Sequence, residues 1–148
     1  MQKQRRVVGI YQTWNTIYVL SQSTTKEYKI LAELPLEKMS MEVSPETIGM
    51  SVRSALIKCR LEVDQPGTKV DELAKEFGTK DWKDLVKKSL YCSVTDREDG
   101  GEAMVVNVCK KSGAYGFDYT GEQFAVDQEN VNEIGSLVKK ALALYKRK

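Results

Sequence analysis

The chain has 148 residues, 41% of them hydrophobic and 30% charged, and its 23 basic side chains are nearly balanced by 21 acidic ones. This is the composition of a soluble globular protein, and the length suffices to bury a core without disulfides or metal. The charge balance argues against nonspecific nucleic-acid binding, no apolar run reaches the ~18 residues of a membrane helix, and no secretion signal precedes the first strand pattern. We therefore expect one domain over 1–148, in the cytoplasm and away from membranes.

The first half is predicted to open with four short strands, over 7–11, 16–20, 28–31 and 39–43. The first two are rich in β-branched and aromatic side chains and should form a hairpin, with Trp14-Asn15 as its turn. Pro35 separates the last two, because proline cannot donate to a sheet ladder.

A helix follows these strands, and part of its sequence is repeated later in the chain. Ser44-Pro45-Glu46 is a strong helix start, and the helix is predicted to run to about residue 60. Its segment 48–56 reappears 86 positions later as 134–142, with five identities in nine that include a glycine, and with a basic residue at Arg53 and Lys139. Glycine inside a helix costs about 1 kcal/mol relative to alanine, so its repetition favours a duplicated strands-then-helix unit. The alternative is convergence, since amphipathic helices share apolar residues at the same spacing.

The middle of the chain reads as a helical insert. Residues 63–68 have linker composition, 70–77 form a short helix closed by Gly78, and Asp81 caps a second helix that places Trp82 on its apolar face.

Strand patterns then return before the second copy of the helix. The predicted strands are 91–94, 102–109, 115–117 and 123–126, and the helix enters at 130–133 and reaches about residue 145. We predict an α+β fold in which helices pack on antiparallel sheet. Its repeat-like halves span about 5–62 and 90–146, and the helical linker spans 63–89.

Much catalytic chemistry is excluded by residue type. The chain has no histidine, which removes Ser-His-Asp and Cys-His catalysis and mixed Cys/His zinc sites. Cys59, Cys92 and Cys109 are dispersed on apolar segments and are predicted to be buried, reduced thiols. No phosphate-binding glycine loop is present, so no cofactor or metal is predicted.

Acidic side chains supply the candidate interaction site. Asp96, Glu98, Asp99 and Glu102 surround the Gly100-Gly101 turn, and Glu33 and Glu37 form a smaller group in the first half. Such groups serve turn chemistry and solubility by themselves, or they contact a basic partner.

Two further interpretations remain open. A small enzyme could use a pair of the carboxylates at 96–102 in a buried cleft. A nucleic-acid platform could use the aromatic residues Tyr11, Trp14, Tyr18 and Tyr28, although we expect these, like Trp82, to pack beneath helices.

Three motifs together resemble a known family. They are the Ser-Pro-Glu-Thr-Ile-Gly helix start at 44–49, the Asp-Trp-Lys element at 81–83, and the Ile-Gly-x-x-Val-x-x-Ala-Leu repeat. With this order of strands and helices, the chain resembles the enterobacterial immunity proteins of contact-dependent growth inhibition over nearly its whole length. It departs from the family at 130–133, where a second Ser-Pro-Glu start is often found.

The resemblance implies a non-catalytic cytoplasmic protein that needs no cofactor. Its partner would be the C-terminal toxin domain of the cognate delivered effector, commonly a nuclease such as a tRNA-cleaving RNase, whose activity it blocks. Acidic side chains would suit the positive cleft of a nuclease, so the resemblance adds a function to Glu33, Glu37 and the 96–102 group. The overall charge of +2 fits this expectation poorly.

Overall fold

The computed structural model describes residues 6–24, 30–32, 37–59, 70–96, 103–113 and 116–144. Within these ranges the chain forms seven strands and four helices. The strands are β1 (Val7–Thr13), β2 (Thr16–Thr24), β3 (Ile30–Ala32), β4 (Glu37–Ser40), β5 (Ser89–Asp96), β6 (Ala103–Ser112) and β7 (Gly116–Asp127). The helices are α1 (Pro45–Lys58), α2 (Val70–Glu76), α3 (Trp82–Lys88) and α4 (Val131–Leu144).

All described strands join one antiparallel sheet in the order β3-β2-β1-β5-β6-β7, and β4 pairs with β2 beside β3. The two central strands, β1 and β5, pair antiparallel with Ile10 opposite Cys92. The predicted α+β fold is confirmed.

The sheet has the same plan on both sides of its centre. β2 follows β1 outward on one side, and β6 follows β5 on the other. β4 pairs with the first part of β2 and β3 with its last part, whereas β7 pairs with both parts of β6 as one strand, with an irregularity between Asn107 and Cys109. The split outer edge of the first half therefore corresponds to one long strand in the second half.

Several boundaries differ from the sequence prediction. β7 is continuous where two strands were predicted, and β4 ends at Ser40 because Val43 N–H donates to Ser40 O in a turn. β5 begins at Ser89, two residues before the predicted strand, and the residues that follow α3 already pair with β1.

One face of the sheet carries α1 and α4 over an aliphatic core. The strands contribute alternate residues such as Ile10, Ile17 and Val94, and the helices contribute Ile48 and Ile134, all fully buried. Both helix starts are capped as predicted. Ser44 Oγ accepts from the Thr47 N–H at 3.3 Å, and Asn130 Oδ1 accepts from the Glu133 N–H at 3.2 Å.

The two repeated glycines lie where these helices cross. A Cβ atom on Gly49 would come within 1.8 Å of Val131 O, and one on Gly135 within 1.7 Å of Pro45 O. Each glycine thus faces the first residue of the other helix, and both pairs are related by the 86-residue repeat. The glycines are required by close helix contact.

The repeated basic residues make a second reciprocal pair of contacts. Arg53 lies 3.7 Å from the Glu129 carboxylate, and Lys139 Nζ donates to Val43 O at 3.0 Å. Val43 and Glu129 are themselves 86 residues apart, each just before a helix cap. The contacts therefore follow a local twofold symmetry between the two helices.

The opposite face is covered by α2 and α3 and has an aromatic core. Phe77, which follows α2, lies 5.1 Å from Tyr11 and 4.4 Å from Tyr18 between ring centroids, and Tyr91 stacks on Phe117 at 5.0 Å. Leu85 of α3 is fully buried there, and Trp82 packs at the margin. The insert between the halves is thus a separate layer on the sheet.

Candidate functional site

The acidic residues predicted to contact a partner are only partly described. Glu33, Glu98, Asp99 and Glu102 lie outside the described residues, and Asp96 ends β5 with its side chain undescribed. Glu37 begins β4, where its carboxylate accepts a hydrogen bond from Ser51 Oγ at 2.7 Å and so links β4 to α1.

The sheet does not bring Glu37 and Asp96 together. Glu37 of β4 pairs with Val19 of β2, which lies in the same row across the sheet as Ile10 of β1 and Cys92 of β5. Glu37 is therefore three strands away from β5, and its row lies four residues from Asp96 along that strand. Strand spacing and rise place their backbones about 20 Å apart. The two acidic groups therefore belong to different parts of the surface.

A cleft lies at the other end of the central strands, where β1 ends and β5 begins. Its volume is about 530 Å³. Its lining comes from the β1–β2 turn, the end of α3, the start of β5 and the end of β6, and consists of Gln12, Trp14, Asn15, Lys87, Lys88, Ser89, Leu90 and Lys111. We call it the Trp14 cleft. Three lysines and no carboxylate line it.

Trp14 stands at the tip of the β1–β2 hairpin with 91% of its surface exposed. Its φ of 56° is in the left-handed region, which non-glycine residues seldom adopt. The turn is held on both sides, because Gln12 Nε2 donates to Trp14 O at 3.2 Å and the Met41 N–H donates to Asn15 O at 2.7 Å. The indole is therefore presented to solvent on a fixed backbone.

The sequence prediction for the aromatic residues is right for Tyr11 and Tyr18, which are buried, and wrong for Trp14. Tyr28 lies outside the described residues. The Trp-Asn pair correctly indicated the turn, and a tryptophan in a two-residue turn has no neighbouring sheet face to cover it. That position was the signal for exposure.

The lysines are placed by α3 and β6. Lys87 and Lys88 form the last turn of α3, where cations favour the helix dipole. Lys111 Nζ donates to Lys87 O at 2.6 Å and joins β6 to the end of this helix, while Lys88 Nζ lies 3.1 Å from Asp84 Oδ2. The Asp84 carboxylate accepts hydrogen bonds from the Lys80 N–H and from Lys88 Nζ. Both bonds lower the pKa of Asp84, and the bond from Lys80 has the larger effect.

Ser89 contributes a buried polar atom beside the lysines. The residue is 2% exposed, and its Oγ has no hydrogen-bond partner among the described residues. A buried hydroxyl without a partner costs about 1–3 kcal/mol, so native proteins rarely retain one without a reason.

The thiols are free, and Cys92 and Cys109 are buried as predicted, while Cys59 is half-buried. Burial raises the pKa of Cys92 well above its usual value and that of Cys109 to about 12, and it also raises the pKa of Cys59. Thiols held protonated in this way are poor nucleophiles. In the described part of the chain, no three Cys, Asp or Glu side chains are grouped as metal ligands.

A small polar network lies on the α2/α3 side of the sheet, away from the cleft. Asn107 Nδ2 donates to Ser93 Oγ at 3.2 Å and to Thr95 Oγ1 at 3.1 Å, and Ser93 Oγ reaches Tyr119 Oη at 3.3 Å. The hydrogen-bonding groups of this network satisfy one another, which is the usual condition of buried polar side chains.

Among the described helices, none has the length and hydropathy to cross a bilayer.

No protein-family model matches the chain, and no curated protein matches it. Among solved structures, its fold is shared by a protein of unknown function from Neisseria meningitidis, with a TM-score of 0.76 and 16% identity over 99% of this chain and 98% of the other.

A second structure with this fold is a chain of the CdiA-CT/CdiI toxin and immunity complex from Yersinia pseudotuberculosis. The TM-score is 0.75 and the identity is 16%, and the match covers 97% of this chain and 99% of that chain. At this identity the two comparisons show a common fold.

Proposed function

We propose that the protein is an immunity protein that binds and neutralises the toxin domain of a cognate contact-dependent growth inhibition effector in the cytoplasm of the producing cell. The observation that supports this most directly is the end-to-end fold similarity to a chain of a toxin and immunity complex. The motif resemblance at 44–49 and 81–83 points independently to the same class.

The chemistry of the chain suits an inhibitor. Neutralising a toxin needs a complementary surface of about 800 Å² on each partner, and it needs no acid, base or nucleophile. The chain has no histidine, and its three thiols have raised pKa values. We propose that the span 1–148 acts as one non-catalytic domain.

The nature of the toxin follows from the family resemblance alone. We propose a nuclease, such as a tRNA-cleaving RNase. The acidic residues Glu33, Glu37, Asp96, Glu98, Asp99 and Glu102 are proposed to face its basic surface. Since Glu37 and Asp96 lie about 20 Å apart in the sheet, they would contact different parts of the toxin.

The direct test is protection of cells. The toxin domain encoded directly upstream would be expressed in a sensitive bacterium with and without this chain, and we expect growth only when both are present. The purified proteins should form a stable complex in size-exclusion chromatography, and the chain should suppress cleavage of total tRNA by the toxin.

Two results would contradict the proposal. One is growth arrest by this chain expressed alone, which would make it the toxic member of such a pair. The other is continued killing by the upstream toxin domain although this chain is present, folded and in excess.

A further inference from the structure

The Trp14 cleft combines an exposed indole, a set of cations and an unpartnered buried hydroxyl. Stability does not explain the exposed indole, which has little packing, or Ser89 Oγ, which has no partner among the described residues. The lysines already have local contacts, since Lys111 Nζ donates to Lys87 O and Lys88 pairs with Asp84, but together they give the cleft a local excess of positive charge. Each of them gains an interaction if the cleft is filled.

Trp14 is suited to be the centre of a contact. Tryptophan is enriched among residues whose truncation costs most binding energy at protein interfaces. The hydrogen bonds to Trp14 O and Asn15 O already order this turn in the free protein, so little conformational entropy is lost when a partner packs on the ring.

The charge of the lining selects the partner. Lys87, Lys88 and Lys111 line the cleft, and the one carboxylate described beside them is that of Asp84, which pairs with Lys88, so the local charge stays positive and attracts an acidic group. Ser89 also lines the cleft next to Lys88, and its unpartnered Oγ, which is closed to solvent in the free protein, can donate to a carboxylate oxygen once its side chain turns toward the cleft.

The cleft suits a protein segment better than a nucleic acid. A volume of about 530 Å³ accommodates a few side chains, and the lining offers one exposed aromatic ring, whereas single-stranded nucleic acids are bound on several rings in succession. The three lysines of the cleft supply few contacts for a phosphate backbone of several nucleotides.

We infer that the Trp14 cleft receives an acidic segment of the partner toxin, with a carboxylate between Lys87, Lys111 and Ser89 and an apolar side chain against the Trp14 ring. This inference rests on the proposed function. It assigns a second contact at the opposite end of β5 from Asp96, and this strand spans about 23 Å.

The test measures the Kd of the purified upstream toxin domain for the full chain and for variants. Trp14→Asn is expected to raise the Kd about 30-fold, and asparagine is chosen because it tolerates the positive φ of this position. Trp14→Phe keeps an aromatic ring and should raise the Kd much less. Lys87→Glu is expected to raise the Kd about tenfold at low salt and to make binding less sensitive to added salt.

Matched controls lie outside the cleft. Lys58→Glu makes the same charge change in the last turn of another helix, and Ile57→Ala removes another exposed apolar side chain. Both should leave the Kd within about twofold of the parent, as expected for positions outside the contact. Circular dichroism would confirm that every variant is folded.

The possible outcomes separate the two claims. If the parent binds the toxin and the Trp14 and Lys87 variants bind equally well, this inference is wrong and the proposed function stands. If the parent does not bind, both are wrong. If a single-stranded RNA oligonucleotide binds the parent and both substitutions abolish that binding, the occupant is a nucleic acid and the inference is overturned.

Discussion

The two faces of the sheet are built on different principles. On the α1/α4 face, two copies of one helix cross through reciprocal glycine contacts over aliphatic side chains. On the α2/α3 face, a single insert with no second copy packs on aromatic rings. The insert also supplies Lys87 and Lys88 of the Trp14 cleft, so the repeated unit forms the symmetric core while the unrepeated segment provides the asymmetric site.

The largest effect on the difference between the two faces is expected from adding a side chain where α1 and α4 cross. Gly49→Ala and Gly135→Ala would each force a methyl group into a backbone carbonyl, and we expect each to lower the free energy of unfolding by about 3 kcal/mol or more, by similar amounts. Urea denaturation would measure this. Ser136→Ala, at an exposed position beside Gly135, should cost less than about 0.5 kcal/mol. Unequal effects of the two glycine substitutions would refute the symmetry.

Truncating one leucine on each face would compare the two layers. Leu142→Ala and Leu85→Ala should each cost about 2–4 kcal/mol, since both side chains are buried. Hydrogen exchange should distinguish them, because Leu142→Ala opens the helix pair and the central strands, whereas Leu85→Ala accelerates exchange first in α2 and α3. Equal acceleration in α1 and α4 by Leu85→Ala would show that the layers are one cooperative unit.

The buried thiols predict a loss of stability at high pH. Folding raises the pKa of Cys92 and brings that of Cys109 to about 12, so the unfolded chain loses these protons first as the pH rises above about 9. These two thiols should leave stability unchanged below about pH 8 and should each lower it by about 1 kcal/mol by pH 10. Urea titrations at both pH values would measure it, and Cys109→Ala should reduce the fall. A rise in stability at pH 10 would contradict the assignment.

The smallest effects concern the helix caps. Ser44→Ala and Asn130→Ala should each cost about 1 kcal/mol, equally, because the two caps occupy equivalent positions in the repeat. Asp81→Ala removes the cap of α3 and should cost a similar amount. Its effect on hydrogen exchange should remain within the insert, and propagation to α4 would argue against separate layers.

Much of the fold was predictable because local signals agree with tertiary packing. The Ser44 cap, the two glycines and the 86-residue repeat indicated α1 and α4 correctly, and alternating apolar residues located the strands. The helix crossing itself was not predictable, since nothing in a single helix shows which backbone its glycine meets. The continuous β7 was also missed, because Gly121 with its positive φ is tolerated within the strand and does not end it.

The Trp14 cleft was less predictable than the fold. Its residues come from four elements and lie between positions 12 and 111 of the sequence. They meet because β1 and β5 pair with Thr13 opposite Ser89, which brings the β1–β2 turn next to the end of α3. The balanced total charge concealed a local excess of lysine. Composition reports the sum of charges, while recognition depends on where the fold puts them.

The close crossing of α1 and α4 couples two glycines that lie 86 residues apart in the sequence. Since each glycine lies against the first residue of the opposite helix, neither helix could gain a side chain there without displacing the other. The two positions are therefore sterically constrained as a pair, whereas exposed residues elsewhere on the two helices are outside this constraint.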